Sequence, residues 1–215
     1  MPYTRIKICG ITRPEDAQVA AAQGADAIGL VFYVNSPRAV DIGQASEIAS
    51  VVPPFMSTVA LFVNEPAETI ERILSAVSID VIQFHGDESA DFCEQFQRPY
   101  LKAIRVRPDL DLAAVAARYG AASAILLDSW QQGVPGGTGK KFDWQLADTI
   151  RHMPVVLAGG LTEENVGEAI ARLAPAAVDV SGGVEESPGI KDESRISNFI
   201  RAVRSADALG NGKEQ

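Results

Sequence analysis

Residues 5–32, RIKICGITRPEDAQVAAAQGADAIGLVF, decide the fold. The run 5–10 has the pattern of a buried strand and ends in Cys9-Gly10. A helical pattern follows. Thr12 stands as its candidate N-cap with Glu15 three residues on, the body is rich in alanine through Gln23, and Gly24 is placed to stop it. A second apolar run, 27–32, comes next. Strand, helix and strand in that order form one β/α/β unit, and the rest of the chain continues it. Further strand patterns lie at 57–63, 80–84, 101–106, 123–128, 154–158 and 176–181. They are rich in Ile, Val, Leu and Ala with little alternation, as expected of strands covered on both faces.

Helical patterns separate these runs. Asp41 and Gln44 have capping-box spacing, Asn64 before Pro66 opens a third helix, and residues 109–119 suit a helix after strand five. Thr162 opens another helix that runs through Leu173, and Asp192 opens the last, through about Val203. Eight strands, each followed by a helix, predict an α/β (β/α)₈ TIM barrel in a single domain, 1–208. That fold typically takes about 250 residues, so this one is compact. A doubly wound open sheet is the alternative, and the strand count favours the barrel. The glycine-rich stretch 130–141 is expected to be a mobile loop over the site. The polar segment 209–215 is expected to be a frayed tail.

The chain carries a net charge of −9, which argues against nucleic acid or an anionic membrane as partner. It leaves room for a small phosphorylated substrate, because backbone N–H groups bind phosphate locally. No apolar run is long enough to span a bilayer, and no signal-peptide pattern opens the chain. The two cysteines, Cys9 and Cys93, give neither a disulfide framework nor zinc spacing. With only His85 and His152 in the chain, a histidine metal site is not expected. These features place the protein in a reducing cytoplasm.

In a parallel barrel the carboxyl ends of the strands share one rim, and catalytic groups gather there. Cys9 ends strand one. A cysteine in a strand is ordinarily a small hydrophobe, but this one sits at the strand's end, and Gly10 beside it leaves room for a ligand. A basic neighbour or a helix N-terminus would help its thiol act as a base. Asp128 ends strand six after Leu126 and Leu127, where desolvation would favour the protonated form that a general acid needs. Gly159-Gly160 follows strand seven, and Ser181-Gly182-Gly183 follows strand eight. Those two loops often hold phosphate in barrels. Arg38, beside Pro37, suits forked binding of a carboxylate. His85 ends strand four, placed either to bond substrate or to satisfy the rim. His152 is assigned to a helix C-terminus and Cys93 to the core. Gly136-Gly137-Thr138-Gly139-Lys140 fails as a nucleotide P-loop, because Val134 stands where glycine is needed and Lys141 where Ser or Thr is needed.

With these residues in place the chain resembles the phosphoribosylanthranilate isomerase family. The matching pieces are Lys7-Ile8-Cys9-Gly10-Ile11-Thr12, Ser36-Pro37-Arg38, Phe62-Val63-Asn64, Gln83-Phe84-His85-Gly86, Leu127-Asp128-Ser129, Gly136-Gly137-Thr138-Gly139, Phe142-Asp143-Trp144 and Leu157-Ala158-Gly159-Gly160-Leu161. Near the end come Val178-Asp179-Val180-Ser181, Gly183-Val184-Glu185 and Pro188-Gly189 with Lys191-Asp192. They run in order over nearly the whole chain. The resemblance implies an Amadori rearrangement in tryptophan biosynthesis. Asp128 would be the general acid that opens the ribose ring, and Cys9 the general base. Arg38 would face the anthranilate carboxylate, and Asp179 would lie near the sugar hydroxyls. Gly159, Gly160, Ser181, Gly182 and Gly183 would hold phosphate. No cofactor is implied, since the substrate nitrogen supplies the electron sink. Many family members have a second serine where this chain has Gly182. The resemblance leaves monomer and homodimer open. The alternatives are another phosphosugar-barrel enzyme, such as an indole-glycerol-phosphate synthase, and a non-catalytic barrel that binds a phosphorylated metabolite.

Overall fold

In the computed structural model, residues 3–107, 110–129, 149–150 and 152–211 are described. The opening unit forms as read. Arg5–Cys9 (β1) lies parallel to Ala27–Val31 (β2), and Pro14–Gln23 (α1) connects them. Gly24 ends α1 in the left-handed region at φ 92°, its N–H bonding back to Ala20 and Ala21. The start of α1 differs from expectation. Its N-cap position is Arg13, with no side-chain cap. The Thr12 hydroxyl instead donates to the Gly189 carbonyl 2.5 Å away, far along the chain.

The remaining strands are Ser57–Phe62 (β3), Val81–Phe84 (β4), Tyr100–Val106 (β5), Ala124–Ser129 (β6), Val155–Leu157 (β7) and Ala177–Val180 (β8). All eight pair in parallel and in sequence order. β8 closes on β1 with Lys7 opposite Asp179. This closure makes the fold a barrel and excludes the open sheet. Five connecting helices are Ile42–Ser50 (α2), Ala67–Ala76 (α3), Ala90–Glu94 (α4), Leu112–Ala117 (α5) and Val166–Leu173 (α6), and Glu193–Asn211 (α7) follows β8. A short antiparallel hairpin, Glu185–Ser187 (β9) with Ile190–Lys191 (β10), lies between β8 and α7. The sequence reading did not include it.

The strands' period of two sorts their side chains. Ile6 and Ile8 of β1 pack outward into the cluster that holds Ala17 and Ala20 of α1. Cys9 turns the other way and packs with Val31 and Leu61. Ala103, Leu126 and Val156 form a further cluster of strand residues. Single carboxylates stitch strand starts together. Asp26 accepts from the Ile6 N–H and Asp80 from the Thr58 N–H, both at 2.8 Å.

Asp41 and Gln44 form the expected capping box, and Asp192 caps α7 through the Arg195 N–H. Other boundaries move. Asn64, at φ 53°, is not a cap. Its side chain accepts from the Asp87 N–H and so fastens the loop after β3 to the loop after β4. Thr162 lies just ahead of a turn at 163–165, and α6 begins after Asn165. The helix expected over 109–119 forms over Leu112–Ala117 with Asp111 as its cap. α7 continues past Val203 to Asn211, so residues 209–211 are helical rather than a tail. The expected loop at 130–141 and residues 212–215 lie outside the described residues.

Candidate active site

The carboxyl ends of the strands surround a cavity of about 540 Å³, a usual size for a small-molecule site. Every residue singled out from the sequence as a site candidate lines it: Cys9, Arg38, His85, Asp128, Asp179 and the glycine loops. In ring order, the loops after β7 and β8 stand between the strand of Asp128 and the strand of Cys9.

Cys9 is 6% exposed. Its basic neighbour is Lys7, two residues back on the same face of β1. The Lys7 ammonium stands beside the thiol and lies 2.8 Å from Asp179 Oδ1. Burial pushes the Cys9 thiol above its ordinary range. Lys7 pulls it down without cancelling that push, and Asp179 adds to it. Burial also lowers the Lys7 ammonium, but Asp179 and Cys9 outweigh this and leave it raised and charged. The sequence reading passed over Lys7. The signal that could have found it is the strand's alternation, since a residue two before Cys9 must share its face.

Asp128 is buried at the end of β6, with Oδ2 3.2 Å from His85 Nε2. The Gln83 amide nitrogen lies 3.0 Å from His85 Nδ1. A donor at Nδ1 leaves the ring proton on Nε2, where it points at Asp128. Gln83, His85 and Asp128 thus form a chain along the rim from β4 to β6.

Gly159 and Gly160 both have positive φ, 80° and 66°, and so turn the loop after β7 tightly. Gly182–Val184 forms a 3₁₀ turn after β8. The two loops touch at Gly183, where a Cβ would stand 2.1 Å from the Leu161 carbonyl oxygen. A Cβ at Gly182 would meet nothing closer than Arg38 Nη2 at 3.5 Å.

Arg38 reaches the cavity, but its fork is occupied. Its Nε and Nη2 bond the two oxygens of Glu185 at 2.7 and 2.6 Å. The stem fills the space beside Gly10, where a Cβ would lie 2.5 Å from Arg38 Cδ. The room left by Gly10 therefore belongs to Arg38 rather than to a ligand. Glu185 also accepts from Lys191 Nζ at 2.8 Å, and Lys191 lies 3.3 Å from the Ser181 carbonyl oxygen. Burial pushes the Glu185 carboxyl up, yet Arg38 and Lys191 hold it below its ordinary range. Burial lowers the Lys191 ammonium. The sequence reading quoted Glu185 and Lys191 without giving them a role. They face each other across the β9–β10 hairpin, with Arg38 brought in from the loop after β2, and spacing alone does not reveal such contacts.

His152 is exposed just before β7 and does not line the cavity. The segment preceding it, where a helix end was expected, falls outside the described residues. Cys93 is 1% exposed in α4, with its thiol pushed up to about 12 by burial, as suits a core residue.

The sequence profile of the N-(5'-phosphoribosyl)anthranilate (PRA) isomerase family matches residues 6–202. The chain belongs to this family. The N-(5'-phosphoribosyl)anthranilate isomerase of Pseudomonas aeruginosa is 60% identical over 205 residues, covering 95% of this chain and 97% of the relative. The crystal structure of the phosphoribosylanthranilate isomerase from Thermotoga maritima superposes with a TM-score of 0.86 at 41% identity, covering 94% of this chain and 99% of the other. A phosphoribosylanthranilate isomerase in complex with reduced 1-(o-carboxyphenylamino)-1-deoxyribulose 5-phosphate superposes at 0.83 with 39% identity, covering 94% and 99%. Membership of the PRA isomerase family stands in place of the two alternatives, a different phosphosugar-barrel enzyme and a non-catalytic binding barrel.

Proposed function

We propose that this cavity carries out the PRA isomerase reaction with Asp128 as general acid and Cys9 as general base. The protein is an aldose–ketose isomerase of tryptophan biosynthesis. It converts N-(5'-phosphoribosyl)anthranilate to 1-(2-carboxyphenylamino)-1-deoxyribulose 5-phosphate by an Amadori rearrangement. Ring opening needs an acid at the ribose ring oxygen. The Schiff base that follows needs a base at the adjacent carbon, and the substrate nitrogen takes up the electron pair. The observation that carries the assignment is that β1 and β6, which are not neighbours, present a thiol and a carboxyl group to one cavity. The acid and the base can therefore reach different atoms of one substrate.

Phosphate is assigned to Gly159, Gly160, Ser181, Gly182 and Gly183, which line the cavity in two glycine loops of the kind whose backbone N–H groups bind anions. The anthranilate carboxylate is assigned to Arg38, through the N–H groups that Glu185 leaves unused. His85 and Asp179 are assigned to substrate contact, and no cofactor enters the scheme. We place the protein in the cytoplasm as a monomer or homodimer. No helix among the described residues is long and apolar enough to cross a membrane.

The test is to supply phosphoribosylanthranilate, formed in place from anthranilate and phosphoribosyl pyrophosphate by an auxiliary transferase, and to follow the loss of its fluorescence. The purified protein is expected to consume it rapidly. With Arg38→Ala, KM for this substrate is expected to rise by about 10–10²-fold, because a charge-assisted hydrogen bond is typically worth about 1.5–3 kcal/mol. An unchanged KM would remove Arg38 from the binding scheme. The two glycines of the β8 loop should behave differently. Gly182→Ser has room and adds a donor beside the phosphate, so its KM is expected to stay level or fall. Gly183→Ala must move the Leu161 backbone and is expected to raise KM and lower the melting temperature. Equal behaviour of the two variants would contradict this assignment of the loop.

A further inference from the structure

We infer that Lys7 and Asp179 are a charge pair that sets the ionisation of the Cys9 thiol, Lys7 favouring the thiolate and Asp179 restraining it. The inference rests on the reading of Cys9 as the base and extends it to two residues that act through the thiol.

The geometry comes first. Gly29 on β2 faces β1, and a Cβ there would lie 2.8 Å from Cys9 Sγ and 3.0 Å from Lys7 Nζ. The sulfur and the ammonium thus crowd the same missing methyl group. On its other side the ammonium meets Asp179 Oδ1 at 2.8 Å, across the β1–β8 register in which Lys7 and Asp179 are direct partners. Both side chains of this ion pair are buried, at 5% and 8% exposed. In such a setting charges a few ångströms apart act with little screening. Four charged groups bear on the thiol. Lys7 lies on its own strand, Asp179 on β8, Lys191 on β10 and Arg38 on the loop after β2. Arg38 and Lys191 are both held by Glu185. Lys7 is the cation that shares the gap at Gly29 with the sulfur.

A buried thiol with no cation would remain protonated and make a poor base. A thiol beside an unpaired lysine would ionise readily, but the resulting thiolate would be a weak base. The Asp179 carboxylate draws on the same ammonium and so holds the thiol between these limits. A general base works best when its pKa lies near the working pH.

The experiment titrates Cys9 without substrate, in a Cys93→Ala background that leaves a single thiol. The pH dependence of iodoacetamide alkylation gives the midpoint. Charges within about 4–6 Å typically shift a pKa by ~1–3 units. Lys7→Met is expected to raise the midpoint by about one unit or more, and Asp179→Asn to lower it by a similar amount. Opposite shifts from two partners of one ion pair are not what general loosening of the barrel would produce. Lys7→Met leaves a buried carboxylate unpaired and can fail to fold. The double variant Lys7→Met with Asp179→Asn removes both charges together, and its midpoint must lie above that of Asp179→Asn alone. The acid limb of kcat/KM is expected to move with the midpoint. A midpoint that Lys7 substitution leaves in place, in the single or the double variant, overturns the inference, as does an upward shift in Asp179→Asn. If the shifts occur but Cys9→Ala still turns over substrate normally, the charge pair stands and the assignment of the base falls.

Discussion

Cys9→Ala is expected to lower kcat by about 10²–10⁴-fold, the usual contribution of one general acid–base group. The substitution removes the thiol and little else. Cys9 packs in a small cluster with Val31 and Leu61, so the lost sulfur leaves roughly a methyl-sized void, at a cost of about 1 kcal/mol. The barrel should therefore remain folded. The phosphate loops do not depend on the sulfur for their shape, so binding of a product analogue should change little. Loss of kcat with KM nearly unchanged is the pattern of a group that acts in the transition state. Steady-state fluorescence on a variant with parent-like circular dichroism checks this. Turnover within a few-fold of the parent would mean that another group removes the proton.

Asp128→Asn is expected to cost a comparable factor, about 10²–10⁴-fold in kcat, for a different reason. The amide has nearly the carboxyl's shape, and its oxygen can still accept from His85 Nε2, which lies 3.2 Å from the native carboxylate. The rim should keep its form while losing the acidic proton that opens the ribose ring. Ring opening precedes proton removal at carbon. Single-turnover measurements should therefore show the Asp128 variant stalled with substrate still closed and the Cys9 variant stalled after opening. Parent-like turnover in the Asp128 variant would pass the acid role to His85 or water.

The strands were legible in the sequence because buried parallel strands have a composition of their own. Each predicted range overlaps its strand with boundaries one residue away or less. Helix starts were less legible. Thr12 and Asn64 have the side chains of N-caps but use them on Gly189 and Asp87, in loops that local reading cannot place nearby. Thr162 shows the same limit, since Asn165 rather than the threonine precedes the first helical residue. In the site, the residues at strand ends could be found because barrel geometry gathers them on one rim. Arg38 was found for its fork, yet the structure fills that fork with Glu185. Lys7 was missed because its acidic partner, Asp179, lies on a different segment, and Lys191 because Glu185 faces it only once the β9–β10 hairpin forms. A charged residue in a strand pattern reads as solvated until that partner is known.

The ion pairs that frame the cavity also set when the site can exist. Lys7 waits for Asp179, 172 residues on, and Arg38 waits for Glu185, 147 residues on. The hydroxyl of Thr4 bonds Asp207 still later. A chain growing from its amino end thus holds the first β/α units, with one cation destined for burial and one for partial burial, long before their counter-charges are made. While the eighth strand is missing, β1 keeps an open edge and Lys7 keeps its water. Completion of that strand supplies the missing edge and the missing carboxylate in one event. Assembly of the thiol's surroundings is thereby tied to completion of the eighth strand, and an unfinished barrel holds Cys9 without the charge pair that frames it.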